Sequence, residues 1–145
     1  MTRSMAIKLT TLCMIRNEQG QILVQDRQKK DWPGLTFPGG HVEKDENIET
    51  SVIREVYEET GLQIEAQLVG IAEWLNDTNG GRELAALFVA ETTQTLPEKT
   101  EQPLFWLTEE ELFNGTLAGS LKQLLPIFFK EKQFFFKDHS SESPL

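Results

Sequence analysis

The feature that most constrains this chain is a group of carboxylates on one predicted helix. Residues 47–60 read as a helix because apolar side chains recur at helical spacing, and Gly61 follows where a left-handed C-cap is usual. Glu58 and Glu59 follow Glu55 by three and four residues, so all three project from one side of the helix. Like charges at this spacing destabilise an isolated helix, so something in the folded protein must offset their repulsion.

A bound magnesium ion would offset the repulsion between these carboxylates, and the residue types favour it. Hard cations take oxygen ligands and keep water and phosphate oxygens in their remaining positions. Glu59 also falls near the edge of the apolar stripe made by Val52 and Val56, where desolvation pushes a carboxylate toward protonation unless a cation is present. The alternative is a solvated acidic face that is partly compensated by Arg54 and other basic groups.

A longer pattern surrounds this helix within residues 40–62. Its defined positions are Gly40, Glu46, Arg54, Glu55, Val56, Glu58, Glu59, Gly61 and Leu62. At each of them the segment resembles the Nudix box, and the chain is similar to the MutT-like nucleoside triphosphate group of that family. The resemblance implies an α+β fold, namely an αβα sandwich with a mixed sheet and a loop–helix–loop at the site.

The resemblance also implies roles for the box residues. The expected metal ligands are the Gly40 carbonyl, Glu55, Glu58 and Glu59, with magnesium as the ion and manganese able to substitute. The residues expected to act in catalysis are Arg54, Glu55, Glu58 and Glu101. Glu55 or a glutamate outside the box would orient or deprotonate the attacking water, and Arg54 would pair with Glu46. Water would attack one phosphorus of a diphosphate bridge, and magnesium would neutralise charge and acidify bound water.

Residues outside the box supply further candidates by the same resemblance. A loop glutamate before Phe105-Trp106 is expected at the site, and Glu98 and Glu101 both qualify, with Glu101 the closer local match. Arg27 closes a predicted strand and is either a phosphate contact or a surface arginine. His41 is either a phosphate contact or an ordinary, partly exposed histidine.

The residues expected around a nucleobase carry a weaker signal. Phe37 precedes Pro38-Gly39-Gly40 and is a candidate for stacking, as are Trp32, Trp74 and Phe88, although each also suits the core. Asn114 loosely resembles the asparagine that reads an oxidised purine in MutT-like proteins. It is equally explained as the end of a short helix.

Apolar and turn patterns place these segments in a layered α+β arrangement. Strands are predicted over residues 6–15, 21–27, 63–75, 82–92 and 105–107, with loops over 28–36, 76–81 and 94–103. Residues 37–40 are expected to end local regularity, that is, to form neither strand nor helix. Thr108 and Glu111 predict a capping box for a short helix that ends near Asn114. A last helix is expected from Ser120, with a kink or restart at Pro126.

Length and charge limit the partners. A chain of 145 residues predicts one domain over residues 1–138, followed by a flexible tail over residues 139–145. The net charge of −9 argues against a nucleic-acid partner, because such a partner is bound through a basic face. It permits a small-molecule nucleotide that is bound through metal ions. Cys13 has no partner for a disulfide, so a reducing cytoplasm is expected.

Two further expectations concern surfaces. No stretch approaches the roughly 20 apolar residues that span a bilayer, so no membrane partner is expected. The aromatic run of Phe128-Phe129 and Phe134-Phe135-Phe136 is expected to pack on the core or on a second copy of the chain, which leaves a homodimer open.

The sequence thus predicts a magnesium-dependent nucleoside triphosphate pyrophosphohydrolase that converts 8-oxo-dGTP or a related nucleotide to a monophosphate and pyrophosphate. A hydrolase of ADP-ribose, a dinucleoside polyphosphate or a nucleotide sugar would carry the same box, because the box recognises only the diphosphate and the metal. A non-catalytic nucleotide-binding module is disfavoured, since the box keeps its arginine and glutamates. An RNA-acting enzyme is disfavoured by the missing basic surface.

Overall fold

The computed structural model describes residues 3–27, 34–75 and 81–138. A mixed β-sheet with helices on both faces fills these ranges. Its strands are β1 (Ile7–Arg16), β2 (Ile22–Asp26), β3 (Leu35–Thr36), β4 (Gly39–His41), β5 (Gln67–Leu75), β6 (Arg82–Glu91), β7 (Leu104–Leu107) and β8 (Phe134–Lys137). The helices are α1 (Ile48–Thr60), α2 (Glu109–Asn114) and α3 (Leu121–Phe128). The expected α+β sandwich with a mixed sheet is confirmed.

Strand β1 lies at the centre of the sheet. It pairs in parallel with β6 along its whole length, from Ile7 opposite Arg82 to Arg16 opposite Glu91. Its other edge pairs antiparallel with β2 at Arg16 and with β4 at Thr10–Leu12. Beyond β6, the sheet continues with antiparallel β5 and then with β8, which is parallel to β5. The chain therefore places β4, and with it the start of the box, against the middle of the sheet.

Side-chain alternation along β1 builds two apolar clusters, one on each face of the sheet. Leu12 and Met14 pack on the face covered by α3, whereas Cys13 and Ile15 pack on the face covered by α1. Helix α1 adds Val52 to the second cluster. Cys13 is buried and forms no disulfide, which agrees with its lack of a partner in the sequence.

Helix α1 begins and ends where the sequence predicts. The Asn47 side chain accepts a hydrogen bond from the Thr50 N–H at 2.8 Å, which caps the first turn. Gly61 adopts the left-handed conformation with φ 77° and donates its N–H to the Tyr57 carbonyl. Both ends of the glutamate-bearing helix are thus fixed by local chemistry.

The C-terminal helices agree with prediction in part. Thr108 and Glu111 form the expected capping box, and α2 ends at Asn114. Helix α3 begins at Leu121 and continues through Pro126 to Phe128, so the expected restart at the proline is absent from this part of the described chain.

The expectation that residues 37–40 end local regularity is confirmed for Phe37 and Pro38, which belong to no strand or helix, but was wrong for Gly39 and Gly40. Gly39–His41 forms β4, with Gly40 opposite Thr11 and Gly39 opposite Leu12. Backbone pairing with the long central strand overrides the low strand propensity of glycine. A Cβ on Gly39 would overlap the carbonyl oxygen of Thr11, so this close approach of two backbones requires a glycine.

Three other boundaries differ from the sequence prediction. Leu35–Thr36 was expected in a loop but pairs with β2 as β3. The strand predicted from residue 63 begins at Gln67. The strand β8 was not predicted; there Phe135 packs beside Trp74, with ring centroids 6.0 Å apart, while Phe134 and Phe136 stay about half exposed. Phe128 is buried in the core, and Phe129 and Phe135 pack against it, so the aromatic run does pack on the core.

Several expectations fall on residues outside the described ranges. These are the loop at residues 28–33 with Trp32, most of the loop at residues 76–81, and the tail at residues 139–145. The single-domain boundary at residue 138 stays a prediction. In the ranges that are described, no helix has the length and apolar character needed to cross a membrane.

Candidate functional site

The packing of α1 against β4 brings Glu59 to the backbone of Gly39. The Gly39 N–H donates to Glu59 Oε2 at 3.1 Å, and the Gln25 amide donates to Glu59 Oε1 at 3.4 Å. The pKa of Glu59 is raised to about 7, chiefly by burial and in smaller part by the charges of Glu55 and Glu101, against the effect of these two hydrogen bonds. Glu59 is thus a half-buried carboxylate that feels the charges of other acids, an environment that favours a proton or a cation.

Glu55 lies directly over Gly40. A Cβ on Gly40 would lie 2.5 Å from the Glu55 carboxyl carbon and 2.7 Å from each carboxylate oxygen. The Gly40 carbonyl accepts a long hydrogen bond, 3.5 Å, from the Thr11 hydroxyl. Burial raises the pKa of Glu55, and the charge of Arg54 lowers it in part. Because Gly40 has no side chain, the Glu55 carboxylate can occupy the space beside its backbone.

Arg54 joins the loop before α1 to the helix. Its Nε donates to Glu46 Oε2 at 2.9 Å and its Nη2 to Glu46 Oε1 at 2.6 Å. Its Nη1 donates to Glu55 at 3.1 Å and to Glu58 at 3.0 Å, and Nη2 donates to the His41 carbonyl at 3.2 Å. Hydrogen bonding between Arg54 and Glu46 raises the pKa of Arg54 and lowers that of Glu46 to about 2. The expected pairing of Arg54 with Glu46 is confirmed.

Two more predicted residues border this cluster. The Glu58 side chain is 53% exposed, whereas that of Glu55 is 19% exposed, so Glu58 forms the outer side of the cluster. His41 is exposed at the end of β4, next to Gly40. Glu58 is open to a solute that approaches the glutamates, and the His41 carbonyl lies within hydrogen-bond distance of Arg54.

A separate loop brings Glu101 to the cluster. Glu101 is exposed three residues before Leu104, which lies opposite Gln25 in the sheet, and its charge adds to the raised pKa of Glu59. Glu98, which the sequence left as an alternative, lies exposed earlier in the same loop. The geometry therefore favours Glu101 of the two.

The predicted nucleobase contacts do not gather at the cluster. Phe37 is fully buried and packs edge-to-face against Phe128 with ring centroids 4.9 Å apart, so it offers no exposed ring to a base. The stacking role expected of Phe37 is therefore wrong for this structure, because α3 covers the ring. Trp74 and Phe88 are 2% exposed and belong to the core as well.

Arg27 and Asn114 occupy different surroundings. Arg27 is 7% exposed; burial lowers the pKa of its guanidinium, and the charge of Glu83 raises it. Asn114 lies exposed at the end of α2, which packs against β7. Their expected roles as phosphate and base contacts stay predictions.

Within the described residues, no three acidic, histidine or cysteine side chains are already grouped as a metal cage. Arg54 holds both Glu55 and Glu58 in hydrogen bonds. The groups available where α1 meets β4 are nevertheless all oxygen donors: three carboxylates and the Gly40 carbonyl. Oxygen donors suit a hard divalent cation. The Glu55 carboxylate approaches the Gly40 backbone closely, and the chemistry of this donor set fits such an ion.

Two residues that contact Glu59 were not predicted as site residues. Gln25 points toward α1 from β2, and the Gly39 N–H belongs to β4. The sequence could have indicated Gln25, because side chains two residues apart on a strand share a face. Leu23 packs under α1, so Gln25 faces α1 as well. Gly39 carried no such signal, because the strand β4 itself was not predicted.

A glutamate-lined loop–helix–loop on a mixed-sheet sandwich defines a hydrolase that acts on diphosphate bonds. The NUDIX domain model matches residues 7–128, and the chain belongs to the Nudix family. It is an enzyme of the Nudix hydrolase class.

Individual relatives agree with this assignment. An uncharacterised Nudix hydrolase of Bacillus subtilis (strain 168), YvcI, is 28% identical over 130 residues, which cover 86% of this chain and 80% of that protein. The MutT protein of Bacillus halodurans is 21% identical with a TM-score of 0.76, covering 92% and 91% of the two chains. The ORF135 protein of E. coli is 28% identical with a TM-score of 0.68, covering 89% and 93%.

The raised pKa of Glu59 predicts how the metal-free fold responds to pH. A folded-state pKa of about 7 against an unfolded value near 4.5 means that the folded protein binds the proton more tightly. The contribution of Glu59 to stability is therefore fully present below about pH 4.5 and falls by about 3 kcal/mol between about pH 4.5 and about pH 7. Thermal unfolding in EDTA between about pH 5 and about pH 8 measures this fall, and Glu59→Gln is expected to abolish its Glu59-dependent part. An equal pH dependence in both proteins would contradict the assignment.

Proposed function

We propose that this Nudix hydrolase is a magnesium-dependent nucleoside triphosphate pyrophosphohydrolase, with manganese able to substitute for magnesium. Its substrate class is 8-oxo-dGTP or a related damaged nucleotide, and its products are the nucleoside monophosphate and pyrophosphate. The observation that carries the proposal is the convergence of Glu55 and Glu59 on the Gly39-Gly40 backbone, while the loop that carries Glu101 ends before Leu104, opposite Gln25, which also donates to Glu59.

The proposed roles follow from the contacts of each residue. Glu55, Glu58, Glu59 and the Gly40 carbonyl would hold the cation, which when bound neutralises phosphate charge and acidifies a water. Arg54 keeps the loop and helix in register through Glu46. Glu101, exposed and outside the helix, would orient the attacking water or take its proton.

Two further residues would contact the phosphates. His41 stands exposed beside Gly40, and a histidine there can donate a hydrogen bond to a phosphate oxygen. Arg27 directly follows β2, the strand that carries Gln25 to Glu59. Its guanidinium would supply a paired donor to phosphate.

The choice of a triphosphate rests on the group of relatives. Two similar structures, from Methanosarcina mazei and Bacillus halodurans, carry the name MutT. Their matches to this chain cover 98% and 91% of those two proteins. Phe37, Trp74 and Phe88 are buried, so they do not supply a stacking platform for one particular base. ADP-ribose, a dinucleoside polyphosphate and a nucleotide sugar are therefore included in the test as competing substrates.

A substrate panel with magnesium tests the proposal. The purified protein is given 8-oxo-dGTP, the ordinary triphosphates, ADP-ribose, a dinucleoside polyphosphate and a nucleotide sugar, and products are analysed in oxygen-18 water to locate the attacked phosphorus. We expect 8-oxo-dGTP or another triphosphate to be cleaved fastest, with pyrophosphate released. Faster cleavage of ADP-ribose or a dinucleoside polyphosphate would overturn the substrate assignment. Binding without turnover of any compound would indicate a non-catalytic module.

A further inference from the structure

One side chain ties the loop that carries Glu101 to the end of α1. This β6–β7 loop comprises residues 92–103. The Gln63 N–H donates to Gln94 Oε1 at 3.1 Å, and Gln94 Nε2 donates to the Gln63 carbonyl at 3.0 Å. The Gln94 N–H in turn donates to the Thr92 hydroxyl at 3.1 Å. The amide of Gln94 thus pairs with the backbone after α1 as a neighbouring strand would.

Packing reinforces this link on the same side of the loop. Two ring carbons of Pro97 lie 3.2 and 3.3 Å from the position that a Cβ on Gly61 would take. Leu96 packs against the apolar cluster under α1. At the other end of the loop, the Asp26 N–H donates to the Pro103 carbonyl at 3.0 Å. Residues 98–102, with Glu101 among them, therefore span two anchored ends.

We propose that Gln94 is a positioning residue, which holds the β6–β7 loop so that Glu101 stays beside Glu59. The inference rests on the proposed function, in which Glu101 acts on the attacking water. Glu101 is exposed, so its position follows the loop backbone rather than a packed environment. Misplacement of a catalytic group by about 1 Å costs up to roughly 10²-fold in rate. A clamp some residues away can therefore control turnover without touching the substrate.

The chain offers a matched pair of variants for this clamp. Gln94→Ala removes both hydrogen bonds to residue 63. Gln63→Ala removes the same kind of side chain from the partner residue but keeps the backbone groups that the clamp uses. We expect Gln94→Ala to lower kcat roughly tenfold with little change in KM, because Glu101 acts on chemistry rather than on substrate binding. Gln63→Ala is expected to keep the kcat of the unaltered protein.

A double-variant cycle shows whether Gln94 acts through Glu101. When Glu101→Gln is already present, the loop has no carboxylate left to position, so adding Gln94→Ala should lower kcat by less than twofold. A second full loss of roughly tenfold would overturn the inference, because the two effects would then be independent.

Hydrogen exchange measures the clamp without any substrate. In Gln94→Ala, the amide of Gln63 loses its acceptor and is expected to exchange faster than in the unaltered protein, whereas the amides of α1 are expected to keep their rates. Unchanged exchange at Gln63 would overturn the clamp, whatever the enzyme cleaves. A lack of turnover in the unaltered protein would overturn the proposed function while leaving the exchange result intact, so the two failures are distinguishable.

Discussion

Replacing Glu59 with glutamine is expected to lower magnesium-dependent hydrolysis of the best substrate in the panel by roughly 10²- to 10³-fold, the loss that follows removal of one preorganised electrostatic group. Glutamine keeps the size of the side chain, and its carbonyl oxygen can still accept the hydrogen bond from the Gly39 N–H. It loses the charge that would hold a cation. Because the pKa of the half-buried Glu59 is raised, the same change should stabilise the metal-free fold at about pH 8.

Opposite effects on stability and activity separate this result from unfolding. Glu49→Gln is the matched control, since Glu49 is an exposed glutamate in the first turn of the same helix. It makes the same change of charge and is expected to keep nearly full activity. Initial rates with magnesium and unfolding temperatures in EDTA give both quantities. Full activity in Glu59→Gln would contradict its assignment as a metal ligand.

Replacing Gly40 with alanine is expected to lower turnover by about 10²-fold, because a displaced catalytic group loses rate of this order. The new Cβ would lie 2.5 Å from the carboxyl carbon of Glu55, so that carboxylate must move. Gly40 has no positive φ, so alanine fits its backbone conformation. The obstacle is the end of a flexible side chain, and we therefore expect the protein to fold while its glutamate cluster is distorted.

Kinetics and magnesium binding together test this substitution. The rise in unfolding temperature on adding magnesium is expected to shrink in Gly40→Ala relative to the unaltered protein. Gly115→Ala serves as the control, because Gly115 has an ordinary φ of −82° and its Cβ would lie no closer than 3.3 Å to another atom. Unchanged turnover in Gly40→Ala would mean that the contact between Glu55 and Gly40 has no part in catalysis.

The sequence predicted those parts of the fold that local chemistry determines. Asn47 and Gly61 fix the ends of α1 through hydrogen bonds within a few residues, so their identities suffice. The capping box of Thr108 and Glu111 is local in the same way. The pairing of Arg54 with Glu46 spans eight residues and followed from the family resemblance.

The parts that sequence reasoning missed depend on partners distant in the chain. Gly39–His41 has weak strand propensity and becomes β4 only because β1 presents an open edge to it. Phe37 precedes the box as a stacking residue would, but its burial is decided by Phe128 on a helix near the other end of the chain. Local match already favoured Glu101 over Glu98, but spacing alone does not show that the β6–β7 loop ends before Leu104, opposite Gln25.

The parallel pairing of β1 with β6 has a consequence for biosynthesis. The two strands are joined along their full length, yet about half of the chain separates them. Such non-local contacts slow folding, because a large loop must close before its ends interact. On the ribosome, β1 therefore cannot pair with β6 until residues 82–91 have emerged from the exit tunnel. During that interval its uncovered edge is the part of the nascent polypeptide most open to misassociation.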